Sequence, residues 1–317
     1  MKIHIGLLAI FLTSACGGQE VAEPLTPAPF EGERAFEDLK FLVEEIGTRR
    51  IGTSGSQKTR KYIRNQLEPL GWIFEEDTFE AVPPEGARRK GRVKGVNLIA
   101  HWPEKKQRSV WICSHYDTFD KPKFVGANDS GSSTAVLIEI GRQISAKKLV
   151  SPEKGTSDLG ITLCWFDGEE PFYPIPWDDQ TNSTFGSRHL ASKMQKNGTL
   201  KEIGCLLLLD MVGDKELGLY IESMSSGWIA RIIENTATGL GYDQLIVGRK
   251  EIKDDHRPFI RKGVPGADLI DFHFGPANSH WHTDKDTLEA CSKESLEITG
   301  TLVMTALPSL LEQTNNR

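Results

Sequence analysis

The residues of this 317-residue chain best suited to chemistry are an aspartate, two adjacent glutamates and a histidine, far apart in sequence and each closing an apolar run. They are Asp129 in Gly126-Ala127-Asn128-Asp129-Ser130, Glu169 and Glu170 in Trp165-Phe166-Asp167-Gly168-Glu169-Glu170, and His282 in Trp281-His282-Thr283. Asp129, Glu170 and His282 offer two carboxylates and an imidazole. Such a set leaves one position open on a tetrahedral Zn²⁺, the layout of a catalytic rather than a structural site. Adjacent residues presented from a loop point in different directions, so Glu170 can face a metal while Glu169 faces a substrate as general base.

Other polar residues gather around the same strand ends. Ser114-His115-Tyr116-Asp117 puts His115 and Asp117 on one face at the end of a strand-like run. That spacing lets the Asp117 carboxylate hold the imidazole from behind. Asp210 ends the apolar Leu206-Leu207-Leu208-Leu209, where a charge is costly unless paired or metal-bound. Asp254-Asp255-His256-Arg257-Pro258-Phe259 concentrates two acids and a histidine before a short helix. Plainer roles stand beside these. Asp129 or Ser130 can cap a helix, Asp254 and Asp255 can favour a helix dipole, and His115 can be a satisfied core histidine. His273 and His280 lack a recognisable partner and read as loop residues.

The elements that must position these groups alternate between helix and strand. Apolar spacing predicts helices over Phe36 to Ile46 and Ser56 to Leu70, with Ser56 as N-cap and Gly71 closing the second. Strand-like runs follow at Trp72 to Glu80, Val96 to His101 and Val110 to Ser114. Next come a helix over Ser130 to Ser145, a strand at Ile161 to Phe166, a helix at Gly186 to Lys196 and a strand at Leu206 to Leu209. A helix at Trp228 to Thr238, strands near Leu245 to Val247 and Ala267 to Ile270, and a helix from Ser295 to Leu311 complete the pattern. Continuous apolar strands suit a sheet covered on both faces. The expected fold is therefore a three-layer α/β/α sandwich with a mixed, mostly parallel central sheet, in which ligands bind beyond the carboxyl ends of the strands.

Composition is that of a folded domain, with 38% hydrophobic and 26% charged residues, and a net charge of −6 argues against nucleic-acid binding. The basic clusters Arg88-Arg89-Lys90 and Lys105-Lys106 read as solvated loops. Lys2 and the apolar Ile5 to Leu12, ending at Thr13-Ser14-Ala15-Cys16-Gly17, look like a lipoprotein-type signal over residues 1–16. Its alternative is an ordinary secretory signal cut nearby. Residues 17–30, with Pro24, Pro27 and Pro29, then form a tether, and residues 31–317 a single catalytic domain. The chain is thus expected to be exported and lipid-anchored at Cys16 to a bacterial envelope, periplasmic or outer-membrane facing, with no other membrane contact. Cys113, Cys164, Cys205 and Cys291 lack a framework spacing and read as core packing, although export leaves disulfides open.

Taken together, Ser114-His115-Tyr116-Asp117, Val125-Gly126-Ala127-Asn128-Asp129-Ser130, Phe166-Asp167-Gly168-Glu169-Glu170, Gly186-Ser187-Arg188-His189-Leu190-Ala191, Asp254-Asp255-His256-Arg257-Pro258-Phe259 and Trp281-His282-Thr283 resemble the glutaminyl-peptide cyclotransferases. That family shares its fold with the zinc aminopeptidases. The similarity runs from about Glu31 onward and includes Asp77-Thr78-Phe79 and the Gly263-Val264-Pro265 turn. It implies one zinc on Asp129, Glu170 and His282, proton transfer by Glu169, hydrogen-bonding acids at Asp210 and Asp254, and substrate-pocket indoles at Trp281 and Trp177. The implied reaction is an acyl transfer that closes N-terminal glutaminyl residues of peptides or proteins to pyroglutamate and releases ammonia. A two-zinc aminopeptidase is the rival, with His115 and Asp210 on a second zinc bridged by Asp129, and Gly131-Ser132 looks more like that branch. A non-catalytic ectodomain that binds peptides or a partner is the third reading.

Overall fold

The computed structural model describes residues 25–102, 108–147, 159–178 and 180–317. The signal segment, Cys16, most of the Pro-rich stretch and the Lys105-Lys106 pair lie outside the described residues. Eight strands form one sheet: β1 (Ile73–Ala81), β2 (Val93–Trp102), β3 (Arg108–His115), β4 (Leu159–Phe166), β5 (Ile203–Asp210), β6 (Leu219–Glu222), β7 (Ile246–Lys250) and β8 (Gly266–Ile270). Their order is β1-β2-β4-β3-β5-β8-β6-β7. The central run β4-β3-β5-β8 is parallel, as is β6 with β7, while β1, β2 and the β6/β8 pairing are antiparallel. The sheet is mixed, and its parallel part is the part that carries the chemistry.

Layering follows from the strand sequences. Every residue of β4 and β5 is buried, as continuous apolar runs require of strands covered on both sides. One face, with Val110, Ile112, Leu163, Trp165, Leu207 and Leu209, packs against α1 (Gly32–Phe41), α2 (Ser54–Leu67), α3 (Ser133–Lys147), α5 (Gly227–Gly239) and α7 (Lys293–Asn315). The opposite face, with Trp111, Cys113, Cys164, Phe166, Leu206 and Leu208, packs against α4 (Phe185–Asn197) and α6 (Arg257–Ile260). The α/β/α sandwich expected from the alternating pattern is present. Cys113, Cys164, Cys205 and Cys291 are buried free thiols, small hydrophobes of the core.

Several boundaries differ from the sequence reading. Helix α2 starts at Ser54 and is capped by Thr53, whose hydroxyl accepts from the Ser56 amide at 3.5 Å. Ser56 instead turns its hydroxyl inward, 3.3 Å from Asp167 Oδ2. The first helix begins earlier, at Gly32, and widens into a π turn over Leu42–Ile46. Strand β6 was not anticipated, because four residues give too short an apolar signal. Leu25 to Phe30 are laid onto the domain. The Leu25 amide donates to the Gly239 carbonyl at 2.7 Å, and Phe30 is buried in the main core. Among the described residues no helix is long and apolar enough to cross a membrane.

Candidate active site

His115 is the last residue of β3, Asp210 the last of β5, and β4 runs directly into Asp167-Gly168-Glu169-Glu170. These three strands are parallel neighbours, so their carboxyl ends open on one edge, where an open α/β sheet binds ligands. Asp129 arrives from the turn Ala127–Ser132 that precedes α3. Its own backbone leaves helical geometry (φ −106°, ψ 90°), and its carboxylate is turned to the imidazoles of His115 and His282 rather than to the start of the helix. The turn is held by Asp286, whose carboxylate accepts the amides of Asn128 at 2.6 Å and Asp129 at 3.2 Å. Gly126 enters it at φ +53°, where a Cβ would lie 2.0 Å from the Asp129 carbonyl. The fully buried Arg49 guanidinium donates to the carbonyls of Tyr116 at 3.1 Å, Val125 at 2.8 Å and Gly126 at 2.8 Å.

The glutamate pair is fixed through its backbone. Gly168 sits at φ +71°, with space for a Cβ closed by Ile51 Cδ1 at 2.7 Å. The amides of Glu169 and Glu170 donate to the two oxygens of Asp117, at 3.1 and 3.3 Å. Asp117 therefore does more than was expected of it. Its nearer oxygen does lie behind the imidazole, 3.5 Å from His115 Nδ1, while the same carboxylate organises the glutamate loop. His115 directs Nε2 at Asp129 Oδ1 and Asp210 Oδ1, 3.2 Å from each.

His282 completes the cluster. Its Nε2 is 2.9 Å from Glu170 Oε2 and 3.5 Å from Asp129 Oδ2. The ring is stacked on Phe119 at 4.2 Å and on Trp281 at 4.0 Å, one on each face, and its backbone is held at φ +56°. Strain of this kind persists where the surroundings over-determine a functional residue. Glu169 points elsewhere, accepting the Trp177 indole N–H at 3.0 Å. Asp129, Glu169, Asp210, Asp254, Trp177 and Trp281 all line one cavity of about 670 Å³.

Burial raises the Glu169 carboxyl well above the usual range, with Glu170 adding to the effect and His115 opposing it. Burial and then Asp129 raise Glu170 to about 8, against the pull of His282. Burial alone would lower the His282 imidazole, but Glu170 and Asp129 outweigh it and hold it at about 10. Asp254 is raised well above the usual range by burial and by Asp210. So dense a set of acids in a desolvated site needs a cation or protons among them.

Two residue groups fit a metal. Ligand atoms of Asp129, Glu170 and His282 lie within 4.8 Å of one another, as do those of His115, Asp129 and Asp210. In the first group both Glu170 oxygens are buried and accept no hydrogen bond. The 2.9 and 3.5 Å separations of its atoms match the edge of about 3.4 Å of a tetrahedron with zinc–ligand bonds near 2.1 Å. A third group, Asp254, His256 and Asp268, is buried, with Asp254 at the cavity wall. The sequence reading missed Asp286, Arg49 and Phe119. Asp286 lies in a run of exposed charges, Arg49 beside a second arginine, and Phe119 in a loop with no period, so pattern alone could not select them.

The profile of Peptidase family M28 matches residues 97–307. A glutaminyl-peptide cyclotransferase of Boiga dendrophila is 31% identical over 281 residues, covering 78% of this chain and 73% of that one. The crystal structure of an Acidobacteriales bacterium glutaminyl cyclase superimposes with a TM-score of 0.79 at 32% identity, covering 95% of this chain and 100% of that one. A Zn-dependent exopeptidase from Parabacteroides distasonis shares the fold, with a TM-score of 0.74 at 24% identity over 92% of this chain and 100% of that one.

Proposed function

The chain belongs to peptidase family M28 and to the glutaminyl-peptide cyclotransferases, and from that premise we propose how its residues cyclise N-terminal glutaminyl groups of peptides to pyroglutamate on one zinc ion. Asp129, Glu170 and His282 would hold the zinc, which when bound supplies Lewis acidity toward the side-chain amide carbonyl. The observation that carries this reading is the meeting of those three donors at the wall of one cavity, which Asp129 and His282 line together with Glu169 and both indoles.

In the reaction the substrate's neutral α-amine forms a bond to its own side-chain amide carbon, and the bond from that carbon to the amide nitrogen breaks. Glu169 takes the proton from the attacking amine and returns it to the departing nitrogen, which leaves as ammonia. Its raised proton affinity suits a group that must both accept and give. Trp177 holds one Glu169 oxygen by its indole N–H, so the other is aimed at the substrate. Asp210 and Asp254 keep the transferred proton within the site. Trp281 packs against the folded glutaminyl chain, excluding the water that would hydrolyse the amide. Ring closure is already intramolecular, so these groups act chiefly by holding a reactive conformer.

The second metal group, His115 with Asp129 and Asp210, favours a specific rival, a two-zinc aminopeptidase in which Glu169 activates water. Purified protein incubated with Gln-initiated and Leu-initiated peptides separates the two. Ammonia without chain shortening, at one zinc per chain, supports the cyclase; shortening with two metals supports the peptidase. Neither product would support a binding ectodomain. Substrates are peptides or proteins with a free N-terminus, and we further propose that Cys16 is acylated and tethers the exported domain to a membrane.

A further inference from the structure

His282 lacks the support that a metal-bound histidine usually has. Such an imidazole generally donates its second ring N–H to a carboxylate or a backbone carbonyl, which fixes the ring. Among the described residues none hydrogen-bonds Nδ1 of His282, and its backbone sits at φ +56°. The ring is held by its faces instead. Trp281 stacks on one at 4.0 Å and 23°, and Phe119 on the other at 4.2 Å and 15°. Trp281 is the preceding residue and moves with the same loop. Phe119 comes from the segment after β3, so it can hold the imidazole against the rest of the site.

We propose that Phe119 is a positioning residue for the metal group: its face fixes the His282 imidazole, and its edges keep the three ligand-bearing segments in register. The inference rests on the reading above, that Asp129, Glu170 and His282 hold zinc. Its contacts reach all three segments. Besides His282, Phe119 meets Tyr173, three residues beyond Glu170, at 5.9 Å and 75°, and Phe124, five residues before Asp129, at 5.9 Å and 79°. The Phe119 ring is itself buried, and the chain on either side of it is anchored. Thr118 Oγ1 accepts the Arg49 amide at 3.0 Å, and Asp120 Oδ1 lies 3.5 Å from Arg50 Nη1. An imidazole bound to a cation gains positive character, which the negative face of an aromatic ring attracts. Stacking therefore favours the metal-loaded site as well as orienting its ligand.

The test measures zinc affinity by chelator competition in wild type, Phe119→Ala, Phe119→Leu and Phe119→Tyr, with circular dichroism to confirm folding. Phe119→Ala should weaken zinc about 10- to 100-fold, the range for losing a group that orients a metal ligand. Phe119→Leu keeps apolar bulk without a ring face and should weaken it nearly as much, whereas Phe119→Tyr should stay within about threefold of wild type. Co²⁺ loaded in place of zinc reports the ligand geometry. Its visible absorption should shift in the leucine variant and not in the tyrosine variant. Zinc affinity and cobalt spectra unchanged in both the alanine and leucine variants, or equal losses in leucine and tyrosine, overturn the positioning role and leave the zinc reading standing. Zinc retained in full by His282→Ala removes both.

Discussion

Asp117→Asn tests whether the glutamate loop is positioned as the structure implies. The Asp117 carboxylate is fully buried and receives the Glu169 and Glu170 amides at 3.1 and 3.3 Å. Hydrogen bonds to a buried charge are worth roughly 1.5–3 kcal/mol each. Asparagine keeps one acceptor oxygen but turns an NH₂ toward the second amide, so one bond is lost and a buried donor is left unpaired. Relief from burying a charge offsets part of this, leaving about 2–3 kcal/mol at the loop. At 1.36 kcal/mol per decade, that is about a 30- to 150-fold fall in kcat/KM. Zinc should also be held less tightly, because the displaced backbone carries Glu170. The assays are coupled ammonia release on a Gln-initiated peptide and chelator competition for the bound metal. Full activity and unchanged metal affinity in a folded Asp117→Asn protein would refute the reasoning, since among the described residues no other side chain holds both amides.

Glu169→Gln should lower kcat by about 10²- to 10⁴-fold while metal content stays at the wild-type value, and His282→Ala should lose the metal, both read by ammonia release and elemental analysis. Arg49→Met leaves the carbonyls of Tyr116, Val125 and Gly126 without their donor and the nearby acids without its charge. Denaturant unfolding should show a loss of about 3–5 kcal/mol, with Arg49→Lys recovering part of it. Burial raises Asp271 to about 6. A raised acid makes the folded state bind more protons, so its contribution is fully present below pH 4 and is lost as pH rises to 6. Measured by unfolding, Asp271→Asn should improve relative to wild type by about 2–3 kcal/mol between pH 4 and 7. A flat difference across that range would show that Asp271 does not titrate there.

The fold was legible wherever burial writes a pattern. Strands β3, β4 and β5 are continuous apolar runs because helices cover both of their faces, and each delivers its polar residue at the end of the run. Boundaries were less legible where a side chain has two uses. Ser56 has the chemistry of a cap, yet buried Asp167 and the Tyr116 hydroxyl claim it, and Thr53 caps α2 instead. Strand β6 was invisible because its pairing with β8, rather than any local signal, makes it a strand.

The candidate site was legible in its acids and histidines but not in what holds them. Residues that could bind a metal are chemically unusual at the ends of apolar runs, so type and position mark them. Their supports are ordinary residues whose work depends on tertiary contact. Asp117 shows the difference best. Its two-residue spacing from His115 invited pairing with that imidazole, because on a strand such residues share a face. The two do meet, at 3.5 Å, but β3 ends at His115 and beyond it the chain turns. The carboxylate therefore also faces the amides of the β4 loop and satisfies two buried N–H donors, a role that no strand period foretells. A strand period predicts neighbours only as far as the strand runs, and here the chemistry begins where it stops.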